Sequence, residues 1–541
     1  MAEQVVPLKW DKFRGLNLFD NAFLLPPDET DAEDGMMQDG EGIIKRPGLN
    51  YLSGSTPLGT YLEIIEAARM SLGGTGIGAT DPTAWRNTRD AIVALVGTSV
   101  GDEDQYVSLF GYSFADMAWE AISAELVWQL WKYQWPTIRV GSRTSAIIAG
   151  ITGGVASNLY KIKPFGSNSD WFVGVQISPA VRSQAYAEAH REYVYLAGDY
   201  IKPVTISGTS AIWYTDQASR VRESAYNNPD VYSNEFTIAP RGRMTGITGL
   251  RSDGKLLYIF QANDVGWFDR AELRREAMNI GVGVIGDRSA VPCPIGLVAF
   301  TRSNPHLGTN NLLQRHRMHN IILLSGNSYK FIGDKVKALF PSGEFMKEQC
   351  AGDYWPEKDA LLEAYPSTNE TYWTVDAEKN ILVLDMRTQS WRRWTMPAGL
   401  GIVRLIAVDS KMLVVTKKKG LYWLDDMMPR DVIGGVASDI PCYRESAWFT
   451  LGVVSQAPMY AYVWGSQYAG GNATFSYKRA EDSAFTAAGT FALAKRGTRI
   501  NLDTSMNRSR YYKIRIDLAA DSIKGRIIKA QLGTVPVEPG E

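Results

Sequence analysis

Short runs of β-branched, aromatic and aliphatic residues alternate with Gly, Asn and Asp turns through most of this 541-residue chain. Tyr193-Val194-Tyr195-Leu196 leads into Ala197-Gly198-Asp199. Leu256–Phe260 and Val265–Phe268 flank Ala262-Asn263-Asp264, and Ile321–Leu324 and Ser328–Ile332 flank Ser325-Gly326-Asn327. Tyr372–Val375 and Ile381–Leu384 flank Asp376–Asn380, and Met412–Val415 and Leu421–Leu424 flank the Lys417-Lys418-Lys419-Gly420 turn. Run length and turn chemistry make each of these a β-hairpin. Ala91–Val96 and Ile147–Ala149 extend the series upstream.

The hairpin starts at 193, 256, 321, 372 and 412 are 63, 65, 51 and 40 residues apart. Propeller blades recur at roughly 40–50 residues, and insertions widen the interval. After Ile381–Leu384 the chain continues through Asp385–Gln389 to Ser390-Trp391-Arg392-Arg393-Trp394, a turn and an outer strand ending in Trp. That completes a four-strand meander, the unit of one blade. Residues 57–440 are therefore expected to form an all-β β-propeller of about six or seven blades. A stack of antiparallel sandwiches is the competing architecture. Phe114–Tyr133 breaks the pattern with Ala, Glu, Met and Leu, and reads either as an inserted helix or as a strand through Trp119–Ser123 followed by a linker.

From 441 to 541 the character changes: Trp448–Gly452, Tyr460–Trp464, Ala473–Tyr477, Thr490–Leu493 and Tyr511–Ile516 alternate like half-buried strands. A C-terminal β-sandwich is expected there. Residues 1–56 are rich in turn formers, and Leu24-Leu25-Pro26-Pro27 is extended because residues before Pro avoid the helical region. This segment reads as an extended N-terminal arm, packing either on the first domain or on a neighbouring subunit.

Composition narrows the class. With 45% hydrophobic and 21% charged residues, the chain is a folded protein, which excludes long disorder, collagen and coiled coil. Lys plus Arg is 57 and Asp plus Glu is 58, a formal net charge of -1. General attraction to nucleic acid is excluded, while a locally basic surface is not. Cys293, Cys350 and Cys442 match no zinc or redox spacing and read as buried free thiols folded in a reducing cytosol. The N-terminus lacks the apolar core of a secretory signal, and no run reaches the length of a membrane span.

Catalytic patterns are not found in the sequence. Ser71–Gly78 is Gly-rich but lacks the lysine of a phosphate loop. His316 and His319 sit three apart beside Arg315 and Arg317 and ahead of a strand, where such spacing points the rings to opposite sides. No G-x-S-x-G elbow is present, and the acidic pairs Asp102-Glu103-Asp104 and Asp425-Asp426 read as solvated turns. No catalytic residue, metal or cofactor is expected. Basic clusters at Arg241/Arg243, Arg274-Arg275, Arg315/Arg317, Arg392-Arg393 and Lys417-Lys418-Lys419 adjoin turns. They read as solvated tips or as a ring of charge, repeated by oligomer symmetry, that meets DNA phosphates without sequence preference.

Phe13-Arg14-Gly15-Leu16-Asn17 with Asp20, the Leu-Pro stretch, and Asp39-Gly40-Glu41-Gly42-Ile43-Ile44-Lys45-Arg46-Pro47-Gly48 resemble the N-terminal signature of bacteriophage tail hub or nozzle proteins, including packaged-DNA stabilisation proteins of short-tailed phages. The Trp391–Trp394 blade end and Arg508–Ile516 fit the same resemblance. It implies a ring, usually six-fold, below the portal and adaptor, forming part of the DNA exit channel, retaining packaged double-stranded DNA and receiving further tail parts. The protein would be made in the host bacterial cytoplasm and end in the virion tail. Lys417, Lys418, Lys419, Arg392 and Arg393 are the candidate channel residues, and Phe13, Arg14, Leu16, Asn17, Lys45, Arg46 and Pro47 the candidate subunit-contact arm. The alternatives are a receptor-binding or glycan-degrading tail protein, which needs paired acids and sugar platforms, and a cellular propeller scaffold.

Overall fold

In the meanders the order of strands follows from the alternation of apolar runs with tight turns, each strand pairing antiparallel with the next, while Gly15–Leu16 and Glu29–Thr30 pair parallel. The computed structural model describes the chain from Leu8 to Gly533 outside 11–12, 40–41, 56–61, 73–88, 99–105, 115–116, 122–127, 131–136, 143–144, 154–159, 165–171, 177–183, 200–203, 207–208, 212–219, 238–246, 262–263, 286–287, 303–319, 341–349, 367–378, 418–419, 450–459, 467–471, 494–496, 503–508, 523–524 and positions 27, 150, 227 and 510. Among the described residues the protein is all-β, with two short 3-10 turns at Asp334–Leu339 and Pro356–Lys358.

Successive antiparallel sheets run along the chain. The first is built on Leu62–Leu72, Arg89–Thr98 and Tyr106–Ser113. Four-stranded meanders follow, beginning at Thr137–Ser142, Gln184–His190, Ile247–Ser252, Val291–Cys293 and Ala351–Trp355. The last sheet takes Ile402–Val408, Lys411–Thr416 and Gly420–Asp425, and its fourth strand is Gly48–Tyr51 from the other end of the chain. The opening strands pack on one another in order. Leu62–Leu72 meets Thr137–Ser142, which meets Gln184–His190, which meets Ile247–Ser252. Val291–Cys293 meets Ala351–Trp355, which meets Ile402–Val408, which returns to Leu62–Leu72. The remaining junction is a shared core: Tyr258, Phe260 and Trp267 of one sheet pack with Leu297, Ala299 and Ile322 of the next.

Three of the expected hairpins form as read, at Leu257–Gln261 with Val265–Asp269, Ile321–Ser325 with Ser328–Phe331, and Lys411–Thr416 with Gly420–Asp425. Two differ. Tyr193 to Asp199 is a single strand paired with Gln184–His190, because the turn is at Arg191-Glu192, both in the left-handed region. Lys379–Asp385 pairs with Ala360–Pro366, while Tyr372–Val375 lies outside the described residues. The ambiguous stretch holds strands at Ala118–Ala121 and Trp128–Leu130, not a described helix.

The C-terminal region forms two facing sheets around Ala461, Val463, Phe475, Ile514, Ile516 and Ile527. Burying each large apolar side chain contributes about 1.5–3 kcal/mol. These sheets are not made by residues 441–541 alone. Leu8–Trp10, Met36–Asp39 and Gly42–Lys45 belong to one, and Glu33–Asp34 belongs to the other. The segment expected as an arm is therefore threaded through its own chain. It supplies strands to both layers of the sandwich and the closing strand of the last meander. Main-chain donors buried there must be paired, and strands from distant parts of the chain pair them.

Candidate functional site

The residues of the N-terminal signature converge where the sandwich meets the last two sheets. Gly15 has φ +91°, and a Cβ there would sit 2.3 Å from the carbonyl oxygen of Trp391. A Cβ on Gly48 would meet the carbonyl oxygens of Arg430 and Met428 at 2.4 and 2.5 Å. Both positions need glycine because main chain crosses main chain.

Glu33, on the short strand Glu33–Asp34, is fully buried between two arginines. Arg392 Nη1 donates to both of its carboxylate oxygens, at 2.7 and 2.8 Å, and Arg444 Nη1 donates to Oε2. Two guanidiniums facing one carboxylate leave excess positive charge, and further acceptors offset it. Arg392 Nη2 donates to Phe13 O at 2.9 Å and Gln38 Oε1 at 2.6 Å, and Arg444 Nη2 to Asp28 O at 2.9 Å. The Arg444 guanidinium also lies 5.3 Å from the centre of the Phe13 ring. Burial lowers its pKa to about 10, so it stays charged at neutral pH.

The neighbouring basic pair is held in the same way. Arg46 and Asp431 form a buried bidentate ion pair at 2.5 and 3.0 Å, and Asp431 also accepts the Leu49 amide at 3.0 Å. Lys45 Nζ donates to the carbonyls of Pro429, Ala519 and Ala520 at 2.6, 3.2 and 2.6 Å, which uses all three of its protons. Burial lowers the pKa of this ammonium. Asn17 accepts the amides of Phe19 and Asp20, at 3.1 and 3.2 Å, and donates to Glu29.

These positions correct the arm expectation. Phe13, Leu16, Asn17, Lys45, Arg46 and Pro47 are buried against their own chain. Arg14 alone of the set is exposed, with its side chain paired to Asp28 at 2.8 Å. Residues already buried this way cannot also grip a neighbour without unfolding the junction.

The candidate channel residues are corrected likewise. Arg392 faces Glu33 inside the protein, not a hairpin tip. Arg393 points to the other side of the same strand and is half-buried. Lys417 is buried and pairs with Glu63 at 2.6 Å. Lys418 and Lys419 lie outside the described residues, as do the Arg241/Arg243 and Arg315/Arg317 clusters and His306, His316 and His319.

A second set of ion pairs, unread from the sequence, links the opening strands of different sheets and the segment leading into Val291–Cys293. Glu188 meets Arg251 at 3.3 Å, and Glu66 meets Arg288 at 2.9 Å and Arg404 at 3.8 Å. Asp353 accepts the amides of Tyr354 and Ala407 at 2.9 and 2.8 Å. Its desolvation raises the carboxyl pKa, against the pull of Arg404 and Arg251. Isolated charges inside apolar strands carry no local sign of their partners, so only assembly of the sheets pairs them. Nearby, His190 is buried with Nδ1 2.8 Å from Ser252 Oγ, and desolvation lowers its pKa to about 4.

Cys350 and Cys442 are buried free thiols, while Cys293 is half-buried, with Sγ 3.1 Å from Gly296 O. Among the described residues no group of three or more His, Cys, Asp or Glu side chains is placed to hold a metal ion. No helix among them is long and apolar enough to cross a membrane. The arrangement cross-links distant segments and spends its charges on one another.

No protein-family model and no curated protein matches the chain. Among solved structures, a chain from "Crystal Structure of Mitotic Checkpoint Complex" is 7% identical with a TM-score of 0.38, covering 69% of this chain and 96% of that one. The computationally designed Ika8 protein is 8% identical with a TM-score of 0.31, covering 69% of this chain and 100% of that one. Likeness at this level carries no conclusion about what the protein does.

Proposed function

We propose that this chain is a structural protein of a bacteriophage tail. It forms a ring below the portal and adaptor, contributes to the DNA exit channel and retains packaged DNA. It is made in the host bacterial cytoplasm, works in the virion tail and has no catalytic role or cofactor.

The observation that carries the reading is the placement of the signature itself. Three residues of the tail-hub resemblance help fasten the sandwich to the last sheets: Arg392 through Glu33, Arg46 through Asp431 and Lys45 through its three-carbonyl cradle. A signature with that task belongs to an architecture in which the two regions move as one, as a load-bearing ring component requires. The serial meanders support a β-propeller. The packing of opening strands, returning from Ile402–Val408 to Leu62–Leu72, supports seven blades around one axis. Subunit contacts in such a ring are heterologous and close by rotation, and they use surfaces other than the buried signature.

Native mass spectrometry of the purified protein, alone and mixed with the tail adaptor, tests this. A closed ring under either condition is the expected result and sets the symmetry. A persistent monomer under both overturns the ring, and glycan-binding screens and scaffold partners become the next tests.

A further inference from the structure

One lysine of the sandwich faces two carboxylates at once. On the strand Tyr512–Leu518, Ile514 and Ile516 point into the core, so Lys513 and Arg515 stand on the opposite face. Lys513 Nζ lies 2.6 Å from Asp31 Oδ1 and 2.8 Å from Glu445 Oε2, with 7% of the lysine side chain exposed. Strand order explains the meeting. Tyr443–Glu445 pairs with Tyr512–Leu518 on one side and with Glu33–Asp34, just after Asp31, on the other. Glu445 is therefore on the strand between an acid from the start of the chain and an amine 482 positions further on.

The surroundings hold the three groups in register. The Glu445 amide donates to Ala32 O at 3.0 Å, and Thr30 Oγ1 accepts the Ala32 amide at 3.0 Å, which fixes the main chain on both sides of Asp31. Arg515 is tied to Asp517 at 2.6 Å and approaches Glu445 at Oε1, 3.7 Å away, so Oε2 is left to the lysine. The Trp448 ring centre is 5.9 Å from Nζ, and Phe23 stacks on that ring at 5.2 Å, which shields the amine from water. Other lysines are placed differently. Lys335 and Lys358 each meet one carboxylate, Glu29 and Asp426, and Lys45 meets three carbonyls. Lys513 has a carboxyl carbon one bond beyond its partner oxygen on Asp31, and a second carboxylate on the same nitrogen that can move protons.

We propose that Lys513 and Asp31 join in an intramolecular isopeptide bond, formed by the folded protein itself with Glu445 as the catalytic residue. The ammonium first passes one proton through Glu445 to the Asp31 carboxylate. Nζ, now a neutral amine, forms a bond to Asp31 Cγ. Glu445 takes a second proton from the nitrogen and delivers it to the Asp31 hydroxyl. The C–O bond breaks, the hydroxyl leaves as water, and Glu445 ends as the carboxylate it began. The products are one amide and one water, with no oxidant and no cofactor consumed. Holding amine and carboxyl in contact supplies the proximity that the two lack in solution. Asp31 is half-buried, which gives the released water a way out. The bond would lock the N-terminal segment to the sandwich covalently, at the sheet where Glu33–Asp34 is already an added strand. The inference goes beyond the ring reading and does not depend on it.

The test is the mass of the purified full-length chain, measured in denaturant after the folded protein has been incubated. The wild type should be lighter than its sequence by one water, and protease digestion should release a branched peptide joining Lys513 to Asp31. Lys513→Arg and Asp31→Ala should keep their full sequence masses. Glu445→Gln should form the bond at least about a hundredfold more slowly, the usual loss when a positioned acid–base group is removed. Near-ultraviolet circular dichroism shows whether each variant is folded, and the wild-type mass decides the matter even if none is. A folded wild type that stays at its full mass overturns the proposal and leaves an ion-paired lysine. So does a lost water that maps to a succinimide or to another pair of residues, or a folded Glu445→Gln that cross-links as fast as the wild type. The ring is read separately, from the native mass: a cross-linked monomer removes the ring and keeps the bond, and a closed ring of full-mass chains does the reverse.

Discussion

Glu33 and Arg392 are separated by 359 positions in the chain, yet the guanidinium holds both carboxylate oxygens, at 2.7 and 2.8 Å, with neither residue exposed. Arg444 completes the contact from the sandwich side. Three segments remote in sequence thus share one buried charge centre.

Replacing Glu33 by Gln removes the carboxylate that these two guanidiniums share. The loss should be about 3–5 kcal/mol, the usual result of stripping one partner from a buried pair. Denaturant unfolding measures it. A loss below about 1 kcal/mol would mean that the carbonyls of Phe13 and Asp28 hold the arginines unaided.

Deleting residues 1–50 should destroy the fold rather than free an arm. It removes Met36–Asp39 and Gly42–Lys45 from the sandwich and most of Gly48–Tyr51 from the last sheet. Limited proteolysis and near-ultraviolet circular dichroism should report a loosened C-terminal third. A truncated chain as resistant as the intact one contradicts this.

Gly48→Ala places a methyl group 2.4 Å from the Arg430 carbonyl oxygen. Main chain on both sides has little room to yield, so a loss of about 1–3 kcal/mol is expected. Gly254, whose added Cβ would meet nothing within 4 Å but whose φ is +87°, is the comparison. Its alanine variant should lose only the backbone-strain part, about 1 kcal/mol. Equal melting temperatures for the two variants would remove the close-approach argument.

His190 sets a pH window. Its folded pKa is lowered to about 4 by desolvation, from 6.5 in the unfolded chain. The neutral ring is therefore favoured in the folded state. This group's contribution is fully present above pH 6.5 and is lost as pH falls from there towards 4, because the unfolded chain takes up the proton first. His190→Gln should flatten that part of the stability profile in thermal melts across the window. An unchanged slope would place the titration elsewhere.

Lys417→Ala should cost stability and leave DNA affinity unaltered, since the ammonium is committed to Glu63 at 2.6 Å. About 3 kcal/mol is expected for opening a largely buried pair. Weakened DNA binding with unchanged stability would return Lys417 to the surface role that its position in a lysine run suggests.

The hairpins at Leu257–Asp269, Ile321–Phe331 and Lys411–Asp425 were legible because their partners are neighbours and their turns hold Gly, Asn or Asp. The turn at Arg191-Glu192 was not, since two ordinary charged residues adopt a left-handed conformation there under tertiary constraint. Periodicity likewise pointed to strands at Tyr460–Trp464 and Tyr511–Ile516, which form as Tyr460–Ser466 and Tyr512–Leu518, without saying which ring or cation would lie across from them. The sequence by itself determined an all-β protein of repeated hairpins, because period-two burial and turn chemistry are local properties. Tertiary structure alone decided that Glu33–Asp34, Met36–Asp39, Gly42–Lys45 and Gly48–Tyr51 are strands built into sheets of the rest of the chain, and that Arg392 and Lys417 face carboxylates. Those outcomes depend on pairing between segments hundreds of residues apart, where burial forces each charge and each main-chain donor to find whatever partner the fold brings within reach.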